Sequence, residues 1–140
     1  MMDTPTTLTY ISVVLRGVVH IALTIAALNG LDIFSCDMQN FYLTAECQEN
    51  IWTCAGPAFD SEAGMIMIVK MVLYGLKSSV AEFCAHLFNT LNFIGLLSTK
   101  ADTDVWYRPA VKTYRFEYYE YILCYVDDIL CISHDPGIVL

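Results

Sequence analysis

Residues 116–133 read FEYYEYILCYVDDILCIS, and the reading of this stretch decides the fold. Two runs rich in aromatic and branched side chains, Phe116 to Tyr125 and Ile129 to Ser133, flank Val126, Asp127 and Asp128. That pattern predicts an antiparallel hairpin with two adjacent carboxylates at its turn. Aspartate is a common turn residue, so an ordinary turn is one explanation. Two-residue hairpin turns, however, favour Asn-Gly or Asp-Gly, because those residues tolerate the positive φ that such turns demand. Asp127-Asp128 followed directly by Ile-Leu-Cys-Ile is a poor turn choice, and two like charges at an apolar tip repel each other. From these residues alone, a metal site and a plain turn both stand.

A third carboxylate bears on that choice. Leu31 to Met38 reads as a strand, with Ile33, Ser35 and Asp37 on one face and Phe34, Cys36 and Met38 on the other. Asp37 therefore sits near a strand end and is followed by the aromatic pair Phe41-Tyr42. Polymerases of the palm type need carboxylates from two separate strands to hold two divalent ions ~4 Å apart. One acid from a strand and one or two from a neighbouring hairpin meet that requirement.

The rest of the chain predicts elements to carry these strands. Val13 to Leu28 has apolar residues at Val14, Val18, Ile21, Ile25 and Leu28, a helical period, and Asn29-Gly30 is a helix-ending pair. Gly56-Pro57 and Asp60 to Gly64 mark loops around a short Ile51-Trp52-Thr53 segment, and Met65 to Val69 reads as a strand. Ser79 and Glu82 have capping-box spacing, and Val80, Phe83, Leu87, Leu91 and Ile94 form one helical stripe ended by Gly95. Asp104 to Tyr107 reads as a strand stopped by Pro109, and Met1 to Tyr10 as an extended lead-in. The expected class is α+β: an antiparallel sheet with helices packed on one face, in a single domain over residues 1–140.

Composition narrows the function classes. Hydrophobic content is 56% and mean hydropathy +0.51, so a sizeable core is available. The most apolar window, Val18 to Leu28, is about half the length of a membrane span, so no membrane partner is expected. Met1 to Thr7 lacks the features of a signal peptide. The six cysteines form no C-x-x-C pair and no histidine falls at ligand spacing from a cysteine pair, which argues against zinc. Reduced thiols without a secretory signal fit an intracellular, cytoplasmic chain. Seven basic residues against 15 acidic ones give a net charge of −8, awkward for a protein that contacts phosphates.

Three blocks in order resemble the reverse transcriptase of copia-type retrotransposons, over roughly Thr9 to Pro136. They are Cys36-Asp37-Met38-Gln39-Asn40-Phe41-Tyr42-Leu43, then Leu73-Tyr74-Gly75-Leu76-Lys77, then Tyr125-Val126-Asp127-Asp128-Ile129-Leu130. The resemblance implies a polymerase palm fold and RNA-directed DNA polymerase activity. It makes Asp37, Asp127 and Asp128 the catalytic, metal-binding residues, with two Mg2+ ions as cofactors and Mn2+ as a possible substitute. It puts Tyr42 at the bulky gate that disfavours a ribose 2′-hydroxyl, and Gly75 and Lys77 beside template and incoming nucleotide. By themselves Tyr42 reads as a core aromatic and Lys77 as a solvated lysine. The implied partners are an RNA or DNA template with its primer, deoxynucleoside triphosphates and the remaining polymerase lobes, with a virus-like particle as a compatible setting. Fingers strands upstream, and the thumb and ribonuclease H domain downstream, are expected outside these 140 residues.

The sequence also departs from that family. Phe41 stands where the family has alanine beside the gate, Val80 replaces a small residue or proline, and His20, Met71 and Cys84 fall where basic residues are frequent. A module that keeps the palm fold without its chemistry is therefore the alternative reading. A nucleotidyl-cyclase-like sheet also holds two ions on two acids, but the Leu73 to Lys77 string gives it no support.

Overall fold

A computed structural model of the chain describes residues 13–73 and 79–139, with Phe41 and Tyr42 described by their backbone alone. These residues group into two compact units. One holds the described part of Asn40–His86, the other residues 13–39 and 87–139.

The second unit is built on a five-stranded antiparallel sheet. Its strands are β1 (Asp32–Asp37), β4 (Leu97–Ser98), β5 (Val105–Val111), β6 (Glu117–Tyr125) and β7 (Asp128–Ser133), in the spatial order β1-β7-β6-β5-β4. The expected hairpin is the centre of this sheet: β6 pairs with β7 from Tyr121↔Ile132 to Tyr125↔Asp128. Alternation then separates two faces. Leu123, Leu130 and Ile132 point to one, and Ile122, Cys124, Ile129 and Cys131 to the other.

Helix α1 (Arg16–Asn29) covers the first face, where Ala22 and Ala26 join Val14, Leu31, Val105, Leu123 and Ile132 in a buried cluster. The helix ends as expected. Gly30 takes the left-handed conformation at φ 55°, and the Leu31 N–H closes the turn onto the Ala26 carbonyl at 2.9 Å. Of the expected apolar positions, Val14 and Val18 pack into this cluster, but Ile21 and Leu28 do not. Ala26 is fully buried while Ile21 is 60% and Leu28 81% exposed. A helix lying close on a sheet selects small side chains at the contact, and the larger residues are turned outward.

The second face is met by the C-terminal half of α2 (Ser79–Phe93), where the Phe88 and Trp106 rings lie 5.1 Å apart. Arg108 reinforces this contact by donating from its guanidinium to the Ile94 carbonyl at 3.0 Å. Gly95, at φ 86°, ends α2 as expected, with the Leu96 N–H reaching the Leu91 carbonyl. The α+β class holds, and the helices are shared between the two sheet faces.

Strand β5 also differs from expectation, since it runs through Pro109 to Val111. β4 covers only Trp106 and Tyr107 of β5, so beyond them β5 is an edge strand, where a residue lacking an N–H is tolerated. In the same unit Asp102 and Asp104 are buried. Their carboxylates accept the Leu15 N–H at 3.1 Å and the Val13 N–H at 3.2 Å, pinning the entry to α1 onto the sheet.

In the first unit, β2 (Trp52–Cys54) pairs antiparallel with β3 (Ile66–Ile68), and a bridge joins Glu46 to Met71. The capping-box pair is used differently from expectation. The Ser79 hydroxyl donates to the Leu73 carbonyl at 2.5 Å, and the Glu82 carboxylate accepts the Gln48 N–H at 3.2 Å. Ser79 thus ties Leu73, and Glu82 ties Gln48, to the first turn of α2. Short α3 (Pro136–Val139) follows β7.

Candidate active site

The end of the sheet where β6 turns into β7 is set by a two-residue connection. Tyr125 pairs with Asp128, leaving Val126 and Asp127 as the turn. Val126 adopts φ 55°, a left-handed conformation that is unfavourable for a β-branched residue. Neither Asn nor Gly is present to relieve it, so the turn keeps its shape at a cost in backbone strain. Strained positions of this kind concentrate at functional sites.

Strand β1 brings the third acid to the same place. Its register with β7 runs from Asp32↔Ser133 to Asp37↔Asp128, and the Met38 N–H continues it by donating to the Asp127 carbonyl at 2.9 Å. Asp37, Asp128 and Tyr125 are therefore aligned across three adjacent strands and share one face. Asp127 is held beside them in the turn, its orientation set by the turn and not by the pleat. Asp37 and Asp128 are exposed and Asp127 is half-buried.

The electrostatics match this placement. Cys36 has its thiol pushed above the ordinary range, first by burial and then by the negative charges of Asp37 and Asp128. Among the described residues none of the three aspartates is ion-paired; the ion pair described there joins Arg108 to Glu120. Three carboxylates at one sheet end present hard oxygen donors, the ligand type that divalent Mg2+ and Mn2+ select. The donor chemistry fits such an ion. Among the described residues, however, no three acidic, cysteine or histidine side chains converge into a ready coordination sphere.

Two residues to which the sequence reading gave no site role belong to the surroundings. Tyr125 and Val14 line a cavity of about 350 Å³ with Asp128, Leu123 and Ser35. Val14 reaches this position because its N–H donates to the Cys124 carbonyl at 3.1 Å. Tyr125 had a signal, its place directly before the acidic turn. Val14 had none, since its role depends on a pairing between distant segments.

The other candidates are Tyr42, Gly75 and Lys77. Tyr42 lies in the first unit, in a 3-10 turn over Phe41–Thr44 that is entered through Asn40 at φ 56°. Its side chain lies outside the described residues, as do Gly75 and Lys77.

Comparison with known proteins gives one informative match. Over 133 residues, 94% of this chain, the sequence is 26% identical to the retrovirus-related Pol polyprotein from transposon RE1 of Arabidopsis thaliana. The match spans 9% of that polyprotein's length. No family model matches the chain, and no solved structure matches it. The chain is thus similar to a segment of a retrotransposon Pol polyprotein. No helix among the described residues is long and apolar enough to cross a membrane.

Proposed function

We propose that the chain is the palm segment of a retrotransposon reverse transcriptase, extending a DNA primer on an RNA or DNA template. The observation that carries this reading is the register of Asp37 opposite Asp128, with Asp127 in the intervening turn. Asp37 and Asp127 are the metal-binding pair, and Asp128 completes the set. Two divalent cations held there would lower the charge barrier to joining the primer 3′-oxygen to the α-phosphorus, with release of pyrophosphate. The protein's own contribution is to fix the acids on a rigid sheet end. Tyr42 would act as the gate favouring deoxynucleotides, and Gly75 and Lys77 would meet template and nucleotide.

The similarity to a Pol polyprotein supports this reading at the level of the polyprotein. The net charge of −8 supports the alternative, a module that retains the sheet without the chemistry. Primer extension separates them. The chain is joined to the segments that flank the matching stretch in the RE1 Pol polyprotein and supplied with an RNA template, primer, deoxynucleotides and Mg2+ or Mn2+. Extension that is abolished by Asp127→Asn supports the polymerase; extension unaffected by that substitution contradicts the assignment. Failure to extend with all flanking segments present favours the non-catalytic module.

A further inference from the structure

We infer that the outward seam of α1, formed by Gly17, Ile21, Thr24 and Leu28, docks antiparallel on the same seam of a second copy of this chain. The inference is independent of the polymerase reading.

The spacing of the four residues is the first argument. They recur every three or four positions, so they form one continuous line along the helix. The line faces away from the sheet. Ala22 and Ala26 are buried, whereas Gly17 and Thr24 are exposed and Ile21 and Leu28 are 60% and 81% exposed. Small and large side chains alternate along the seam. When two such helices run antiparallel about their midpoint, Gly17 of each faces Leu28 of the other, and Ile21 faces Thr24. Every large residue then meets a small one, the arrangement by which closely packed helices interdigitate. A surface that matches itself in this way fits a two-fold contact.

Two details suit the seam for burial. The Thr24 hydroxyl donates to the His20 carbonyl at 2.8 Å, so covering it leaves no unsatisfied donor. Gly17 weakens the helix without serving the fold in return. Its φ is not positive, and among the described residues nothing lies within 4 Å of where its Cβ would be. The notch it leaves is open to a side chain from outside.

Charge selects the occupant. At a net charge of −8 two copies repel each other over most approaches, yet no acid lies between Asp3 and Asp32, the run that holds α1. The seam is thus a face on which two copies meet without opposing carboxylates. Arg16 stands at the start of α1, a helix with no acid in its first turn and no base in its last. A cation there opposes the helix dipole. Antiparallel docking sets Arg16 beside the last turn of the second copy, where a cation is favourable.

The test is sedimentation velocity of the 140-residue chain from about 5 to 500 µM. One helix pair covers less than a standard interface, so a dimer with a dissociation constant on the order of 10–100 µM is expected. Ile21→Glu and Thr24→Lys should each weaken it at least about tenfold, because each buries an unpaired charge. Both positions are exposed, so far-UV circular dichroism should stay as in the parent chain. An equimolar mixture of the two variants should regain the dimer, since the antiparallel register sets the substituted positions opposite each other. Gly17→Leu should raise the melting temperature of the dilute chain while weakening the dimer, two effects that misfolding cannot produce together. Phe93→Ser, at a 91% exposed position in α2, should leave association unchanged. A parent chain that stays monomeric at about 500 µM overturns the inference, whatever else binds the seam. So does a dimer indifferent to the seam substitutions, or a mixture of the two charged variants that remains monomeric.

Discussion

Asp37 on β1 and Asp128 on β7 are direct cross-strand partners, two carboxylates facing each other at the end of the sheet. Like charges directly opposite are destabilising by a few tenths to about 1 kcal/mol. The fold therefore keeps an arrangement that its own stability disfavours. Either Asp37→Asn or Asp128→Asn is expected to raise the melting temperature in the presence of a chelator. The same substitutions are expected to weaken binding of divalent cations. A lowered melting temperature would mean that the two acids serve the fold and not a ligand.

Val126 poses a similar test in the backbone. An asparagine tolerates the left-handed region that Val126 occupies at φ 55°. Val126→Asn should stabilise the hairpin by roughly 0.5–1 kcal/mol, because the left-handed penalty of a β-branched residue is relieved. Thermal unfolding of the two proteins side by side reads this directly.

Glu120 predicts how stability depends on pH. Its burial opposes ionisation, but hydrogen bonds from Ser133 and Arg108, the Arg108 charge and the Tyr118 hydroxyl outweigh it and hold the carboxyl below its ordinary range. A carboxyl depressed in the folded state contributes stability that is fully present above its unfolded pKa. That contribution is lost as pH falls through the lower folded value. Glu120→Gln should therefore destabilise the chain by about 2 kcal/mol at neutral pH, with the difference shrinking below about pH 4.5. Denaturant midpoints collected from pH 7 to about pH 3 for both proteins check the sign.

Thiol reactivity should follow burial. Cys131 is fully buried and its thiol is pushed up to about 11, chiefly by desolvation and then by Glu120. Cys54 is exposed. At mildly alkaline pH a thiol reagent should modify Cys54 first and reach Cys124 and Cys131 only as the sheet opens. Rapid labelling of Cys131 in the folded chain would contradict the packing of β7.

Sequence patterns carried the hairpin well because its signal is local: alternating aromatic and branched residues on both sides of an acidic turn. The helix ends at Gly30 and Gly95 were legible for the same reason, since a left-handed cap depends on one residue. The buried face of α1 was not. Periodicity marks a stripe, but the choice of Ala22 and Ala26 over Ile21 and Leu28 depends on how closely the sheet lies. Pro109 was misread because a stop signal holds for a central strand, and edge position is a property of the sheet. The site shows the same division. Three acids at strand ends could be read from the chain, whereas the pairing of Asp37 with Asp128 depends on a register between segments about ninety residues apart. Asp102 and Asp104 gave no hint that they would hold the backbone of Val13 and Leu15.

The central claim is that Asp37, Asp127 and Asp128 form one divalent-cation site, and Mn2+ titration of the labelled chain followed by nuclear magnetic resonance tests it most directly. A paramagnetic ion broadens the amide signals nearest to where it binds. The account predicts that signals of Asp37, Met38 and Val126 to Ile129 broaden first, and that Asp127→Asn removes this selectivity. Broadening that starts instead around Glu46, Glu49 or Asp60, or that is unchanged by Asp127→Asn, would contradict it.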